Sequence, residues 1–295
     1  MFYNKIDFSY YLYLIKIMSG INFSNSTIQL NKKEDFSFSE KINDIIWLVV
    51  ADGHSALSSD YYDIMVIDYI KNINWIEFLS KNPNDPLHIL QDLILQDIND
   101  SKSNGATITI VKIDTKNSNI KIWWKGDSTA IIYNNNKQIY KTANHNIFNE
   151  KEVKRLNREN IKYIRDKKGT NIKLLGGNKI KMVNYSSYII YSNNDKLNMT
   201  NTLGHNEVTG RYIEYYENNF NIDNHIKIIV ATDGFWDMYY SDDDEPIILN
   251  AKDASELTKH AEKKWKQEWL QIWQGKEYLR KFPNYDDVAV ALFSN

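Results

Sequence analysis

Short apolar runs alternate along the chain with stretches of helical periodicity. Ile45 to Ala51 is continuously apolar, too short for an ordinary helix, and stops at Asp52-Gly53-His54, which predicts a buried central strand running into a loop. From Ser58 to Leu79, Ile64, Ile67, Ile70 and Ile73 recur at a spacing of three beside Tyr61, Trp75 and Phe78, the pattern of one helical face. Asp85 as cap and Pro86 in the first turn open a second helix carrying Leu90, Leu93, Ile94 and Leu95. A meander follows, with strands predicted at Ala106 to Ile113, Ile120 to Trp124 and Thr129 to Tyr133, joined by polar turns and therefore antiparallel. Beyond it come a polar helix around Asn149 to Arg158 and strands at Tyr188 to Tyr191 and Ile226 to Ala231. A long helix starts at Asp253 with Glu256 completing a capping box, carries Leu257, Ala261, Trp265 and Trp269 at a spacing of four, and can be stopped by Gly275. Val288 to Phe293 closes the chain as a strand. Hairpins interspersed with helix pairs predict antiparallel sheets covered by helices.

With 295 residues, 11 Gly and only 4 Pro, and with no linker-like or low-complexity tract, one domain is favoured over two, spanning residues 21–295 after an N-terminal extension or edge strand at 1–20. The 36 basic and 38 acidic residues leave a net charge of −2, which predicts neither a nucleic-acid nor a membrane partner. The absence of cysteine excludes a disulfide framework, a thiolate nucleophile and every cysteine-ligated metal site. The apolar run from Tyr10 to Met18 is interrupted by Lys16 and is too short to span a bilayer, and no export signal is evident, so the expected location is cytoplasmic. A monomer is expected.

Four aspartates sit at corresponding places: Asp52 and Asp233 directly after apolar strands, Asp127 in a turn between strands, and Asp286 just before the last strand. Strand ends deliver residues to a sheet rim, so these four can share one cleft, where their mutual repulsion calls for a cation. Carboxylate and carbonyl oxygens are hard ligands suited to Mg²⁺, Mn²⁺ or Ca²⁺. Glu34 and Asp35 precede the first central strand and can add two more carboxylates. Asp242 to Glu245 is read as a solvated acidic loop, Trp265, Trp269 and Trp273 as cover for a sheet, and Lys263, Lys264 and Lys266 as the polar side of their helix.

Taken in order, Glu34-Asp35, Asp52-Gly53-His54, Gly105-Ala106-Thr107, Gly126-Asp127-Ser128, Asn144-His145 with Glu152 and Arg155, Leu197 to Gly204, Asp233 to Asp237, and Asp286-Asp287 resemble the motifs of the metal-dependent serine/threonine protein phosphatases of type 2C, the PPM family. The resemblance runs over about residues 20 to 295. It implies a four-layer α/β/β/α sandwich of two mainly antiparallel sheets, with two Mg²⁺ or Mn²⁺ ions at one end. Asp52 would bridge them, Gly53 would give its carbonyl, Glu34 would hold one ion, and Asp233 and Asp286 the other. Asp35 would act through water, and Asp127 with Asp233 matches the place of a third, looser ion. A hydroxide between the two ions would attack phosphorus in phosphoserine or phosphothreonine of a phosphorylated protein substrate, with His54 as general acid.

The sequence departs from the family pattern at five of these places. Leu30 stands where an arginine usually grips the phosphate, with Lys33 or Lys32 as replacement charge; Asn201 and Thr129 replace two further arginines. Asn144 replaces an aspartate, and Asp287 an asparagine. Two alternatives therefore stay open: a pseudophosphatase that binds phosphoproteins or regulators without turnover, and a small-molecule phosphatase or cyclic-dinucleotide hydrolase on a similar scaffold.

Overall fold

The computed structural model describes residues 20–30, 32–55, 65–98, 104–165, 170–175, 179–183, 188–190, 196–205, 209–221, 224–239, 241–282 and 284–295. The apolar run at 10–18 lies outside them. Strands β1 (Asn22–Ile28), β2 (Asp35–Ile42) and β3 (Ile45–Ser55) lead into helices α1 (Val66–Asn72), α2 (Trp75–Lys81) and α3 (Pro86–Asp97). Next come β4 (Asn104–Asp114), β5 (Asn119–Lys125), β6 (Thr129–Asn134), β7 (Lys137–Lys141) and α4 (Glu150–Arg158). Short strands follow: β8 (Lys162–Ile164), β9 (Thr170–Lys173), β10 (Lys181–Val183), β11 (Tyr188–Ile190), β12 (Lys196–Leu197) and β13 (Leu203–Gly204). The remainder is β14 (Glu214–Asn219), β15 (Ile226–Ala231), α5 (Asp233–Trp236), α6 (Ser241–Asn250), α7 (Ala254–Lys266), β16 (Trp269–Trp273), β17 (Lys276–Arg280) and β18 (Val288–Ser294).

Two larger antiparallel sheets dominate, ordered β1-β18-β15-β6-β7 and β14-β5-β4-β3-β2, with β13 added to β4. Their central strands, among them β3, β15 and β18, read as apolar runs because both faces are covered. Ile46, Leu48 and Val50 of β3 join Ile228 and Val230 of β15 and Ala289 and Ala291 of β18 in one buried cluster between the sheets. The alternate residues Trp47, Val49 and Ala51 pack instead with Ile67 and Ile70 of α1, Leu79 of α2 and Leu90 of α3. On the other sheet, Ile229, Val290 and Leu292 pack with Leu257, Ala261 and Trp265 of α7. Each such Ile, Leu or Val side chain contributes ~1.5–3 kcal/mol on burial, so a one-residue slip in register would expose a whole face.

Several expectations need correction. β3 does not end at Ala51: Asp52, Gly53, His54 and Ser55 stay paired with Thr107, Ala106, Gly105 and Asn104. The helix expected up to Leu79 is two helices, because Ile73 is extended and Asn74 caps a new start by accepting from the Glu77 N–H; the part at 58–64 lies outside the described residues. The meander divides between the sheets, with β5 in one and β6 in the other, so the Gly126 to Ser128 turn carries the chain across. The long helix stops at Lys266, and Trp269 and Trp273 belong to β16, paired with β17 through a turn at Gln274 and Gly275. Spacing of four and spacing of two coincide at Trp265, Trp269 and Trp273, so periodicity alone cannot tell the elements apart there. The acidic segment at 242–245 begins α6, and Asp244 is buried against His260 and Lys264 of α7. Lys264 is buried with it and donates to the Met238 carbonyl.

Candidate functional site

Strand register brings the acidic residues to one end of the molecule. Asp35 opens β2 directly opposite Asp52 in β3. Ala231, the last residue of β15, pairs with both Thr129 at the start of β6 and Val290 near the start of β18. Asp127, Asp233 and Asp286 therefore lie at the same end of neighbouring strands. Two glycines make the close approach possible: Gly126 adopts φ +95°, which favours glycine, and a Cβ at Gly234 would stand 1.9 Å from the Asp287 carbonyl oxygen. Trp236 and Trp265 fix α5 from either side, donating to the carbonyls of Ala231 and Gly234.

Asp35 is fully buried, accepts from the Thr232 hydroxyl at 2.7 Å and shares a hydrogen bond with Asp52. Asp52, Asp127, Asp233, Asp237 and Asp286 keep some exposure, so the cluster opens to solvent. Burial pushes the Asp35 carboxyl up to about 7, against the pull of Thr232. Burial, then repulsion by Asp35, Asp233 and Asp286, holds Asp52 well above the ordinary range; burial, Asp286, Asp127, Asp237 and Asp35 do the same to Asp233. Asp127 and Asp237 are each raised to about 6, first by burial. Burial also raises Glu34, with Asp286 and Asp287 adding to it and Lys32 opposing. Asp237 was not singled out from the sequence as a ligand, although it lies four residues after Asp233 and hence on the same helical face.

Among the described residues no group of three or more His, Asp or Glu side chains meets at coordinating geometry. The donor set nevertheless fits divalent hard cations: it is all oxygen, its members raise one another's proton affinity, and the buried Oδ1 of Asp127 has no hydrogen-bond partner among the described residues. A positive charge already leans on the cluster, since Lys32 Nζ lies 3.4 Å from Asp286 Oδ1. Lys33, the expected phosphate contact, is exposed and has no carboxylate partner among the described residues; its carbonyl accepts from Lys71. Leu30 turns toward the apolar cluster beneath β18. The loop carrying these residues is tied down by Asp287, whose carboxylate accepts from the N–H groups of Leu30 at 2.6 Å and Glu34 at 2.9 Å. The Glu34 carbonyl accepts from the Gly53 N–H at 3.0 Å.

His54 lies beside His205, with ring centroids 4.9 Å apart, and both of its ring nitrogens are buried with no hydrogen-bond partner among the described residues. Burial, then His205, holds its pKa well below the ordinary value, so it is neutral at pH 7. His145 is a structural residue: Nδ1 accepts from the Gly126 N–H at 3.0 Å, and its backbone exchanges bonds with Gly126 and Thr200. Glu152 and Arg155 are buried and bind Thr200, which ties α4 to the segment before β13. Two of the departures meet each other, as Thr129 donates to Asn144 Oδ1 at 2.9 Å, a neutral pair where the family pattern has an arginine and an aspartate. Asn201 is buried and donates to the Tyr212 carbonyl.

The family model described as Protein phosphatase 2C matches residues 78–265. A search of curated protein sequences finds no match. Among solved structures, a Caenorhabditis elegans (C.elegans) sex determining protein is similar with a TM-score of 0.59 and 16% identity over 93% of this chain and 65% of that one, so this chain spans less than two thirds of that relative. The S. agalactiae serine/threonine phosphatase gives 0.56 and 15% over 92% of this chain and 98% of that one. Serine-threonine phosphatase 2C from Toxoplasma gondii gives 0.55 and 12% over 93% and 95%. At these identities the structures speak for the fold, in agreement with the helix-flanked antiparallel sheets. With more than half of its length inside the family match, the chain belongs to the protein phosphatase 2C family, a class of protein-serine/threonine phosphatases.

Proposed function

We propose that the protein is a metal-dependent hydrolase of phosphoserine and phosphothreonine in phosphoproteins, using two Mg²⁺ or Mn²⁺ ions. The observation that carries this reading is the gathering of Asp35, Asp52, Asp127, Asp233, Asp237 and Asp286, from separate segments, into one mutually repelling cluster. Such an arrangement opposes folding unless protons or cations neutralise it.

Asp52, the Gly53 carbonyl and Glu34 would hold one ion, and Asp52 with Asp233 and Asp286 the other; Asp127 and Asp237 offer carboxylates to a third. Bound there, the ions would supply an activated water and would neutralise charge developing on the phosphoryl oxygens. The protein's own groups set the rest. Asp35, held by Thr232, orients Asp52 through their shared hydrogen bond. Lys32 brings the positive charge available to a phosphate, a point charge in place of the bidentate guanidinium that Leu30 displaces. The general-acid role expected of His54 would be played by its imidazolium form, which burial and His205 disfavour in the metal-free protein.

The test is hydrolysis of a phosphothreonine peptide with and without Mn²⁺. Turnover that needs Mn²⁺ and is abolished by a chelator is expected; turnover insensitive to chelation would contradict the reading. The pseudophosphatase alternative is favoured by Leu30, an apolar side chain packed against the cluster beneath β18 where the family pattern has the phosphate-gripping arginine. Its signature is Mn²⁺ binding with no hydrolysis of any phosphopeptide.

A further inference from the structure

The loop between β1 and β2 places an ammonium where the proposed function requires a metal. Lys32 Nζ is 3.4 Å from Asp286 Oδ1, and its charge also acts on Asp52, Asp233 and Glu34, the carboxylates assigned to both ions. The loop cannot easily withdraw it, because Asp287 holds the backbone on both sides of Lys32, at Leu30 and at Glu34, while Lys71 binds the Lys33 carbonyl. Lys33 is itself held at φ +62°, a left-handed turn that separates its side chain from that of Lys32. The Lys32 side chain is 58% exposed, so its ammonium can move outward while the backbone stays fixed.

We propose that Lys32 is a tethered counter-cation of the acidic cluster, which occupies the approach to Asp286 in the metal-free protein and must be displaced by the incoming divalent ion. This rests on the metal-dependent reading above. Its consequence is a built-in competition: the tether weakens divalent-cation affinity and offsets part of the carboxylates' charge when no metal is bound. Displacement leaves the ammonium in solvent at the mouth of the cluster, where an anionic substrate arrives. One side chain then exchanges partners, from carboxylate to phosphate, as metal and substrate bind in turn.

Calorimetric titration of the purified full chain with Mn²⁺ tests this without reference to turnover. Lys32→Gln is expected to bind Mn²⁺ about tenfold more tightly than the wild type, with the difference shrinking in high salt. Lys32→Arg keeps the charge and should stay within about threefold of wild type, and Lys33→Gln, which removes an equal charge one residue away, should shift affinity by less than about twofold. A second readout follows the amine itself: labelling by an acylating reagent, read by mass spectrometry, should speed up at Lys32 when Mn²⁺ is added and stay constant at Lys33. Unchanged affinity in Lys32→Gln, an equal gain in Lys33→Gln, or Lys32 labelling that ignores Mn²⁺ would each overturn the inference while leaving the metal centre standing. Failure of wild type and every variant to bind Mn²⁺ would overturn the metal-dependent reading, and the tether with it.

Discussion

Asp233 is the residue on which the site turns, because it follows β15, opens α5 and interacts with Asp35, Asp127, Asp237 and Asp286 together. Asp233→Asn removes one ligand charge while keeping shape, and should lower kcat on a phosphothreonine peptide about 100-fold or more at fixed Mn²⁺. A variant with full turnover would remove Asp233 from the centre. His54 is predicted to behave otherwise. A general acid is worth ~10²–10⁴-fold, but a buried imidazole held toward its neutral form is a poor proton donor, so His54→Gln should cost less than about tenfold in kcat. A larger loss, recovered at low pH, would restore the general-acid assignment. At this scale the sequence was informative wherever an aspartate followed an apolar strand, and silent on contacts made through the loop. Nothing in the order of residues distinguishes Lys32 from Lys33; a single left-handed residue and the hydrogen bonds of Asp287 do so.

Elements position these residues through a few long-range ties. Asp287, just before β18, accepts from two N–H groups of the β1–β2 loop across more than 250 residues of chain. Asp287→Ala strands both donors, and the cost of an unsatisfied buried group implies a loss of about 2–4 kcal/mol, measurable by urea unfolding. Asp287→Asn keeps one accepting oxygen and should lose less than Asp287→Ala; equal losses would show that the loop is not held this way. Strands with both faces buried were legible from continuous apolar runs, and β3, β15 and β18 lie where the runs place them. Boundaries were not. β3 continues through Asp52-Gly53-His54 because β4 pairs with it to Asn104, a long-range fact that a local Asp-Gly signal hides. β16 was absorbed into a helix because tryptophans four apart fit either period, and only the β17 partner decides between them.

For the whole molecule, the acidic cluster ties stability to pH and to metal. Asp35 rises from 3.8 to about 7 on folding, and Asp127 and Asp237 rise from 3.8 to about 6. A raised folded-state value means that the folded protein binds more protons than the unfolded chain between those limits. The slope of unfolding free energy with pH is then negative, so this stabilisation is present below about pH 4 and is lost as pH climbs to about 7. Metal-free protein in a chelator should therefore show a Tm that falls between pH 5 and 7.5, and Mn²⁺ should recover it at pH 7.5 more than at pH 5, since cations replace the lost protons. A metal-free Tm that rises across this range, or an Mn²⁺ effect greater at pH 5, would contradict the cluster. Overall architecture was readable from hairpins and helix pairs, but the passage from one sheet to the other at Gly126 to Ser128 was not, because a short turn between apolar strands ordinarily keeps them in one sheet.

The most direct measurement of the central claim is anomalous diffraction from crystals soaked in Mn²⁺. Anomalous peaks are expected inside the cluster formed by Asp52, Asp233 and Asp286, and are expected to be lost in Asp233→Asn crystals grown alike. Maps from a well-ordered, fully soaked crystal with no peak there, or with Mn²⁺ held only at other surface carboxylates, would contradict it.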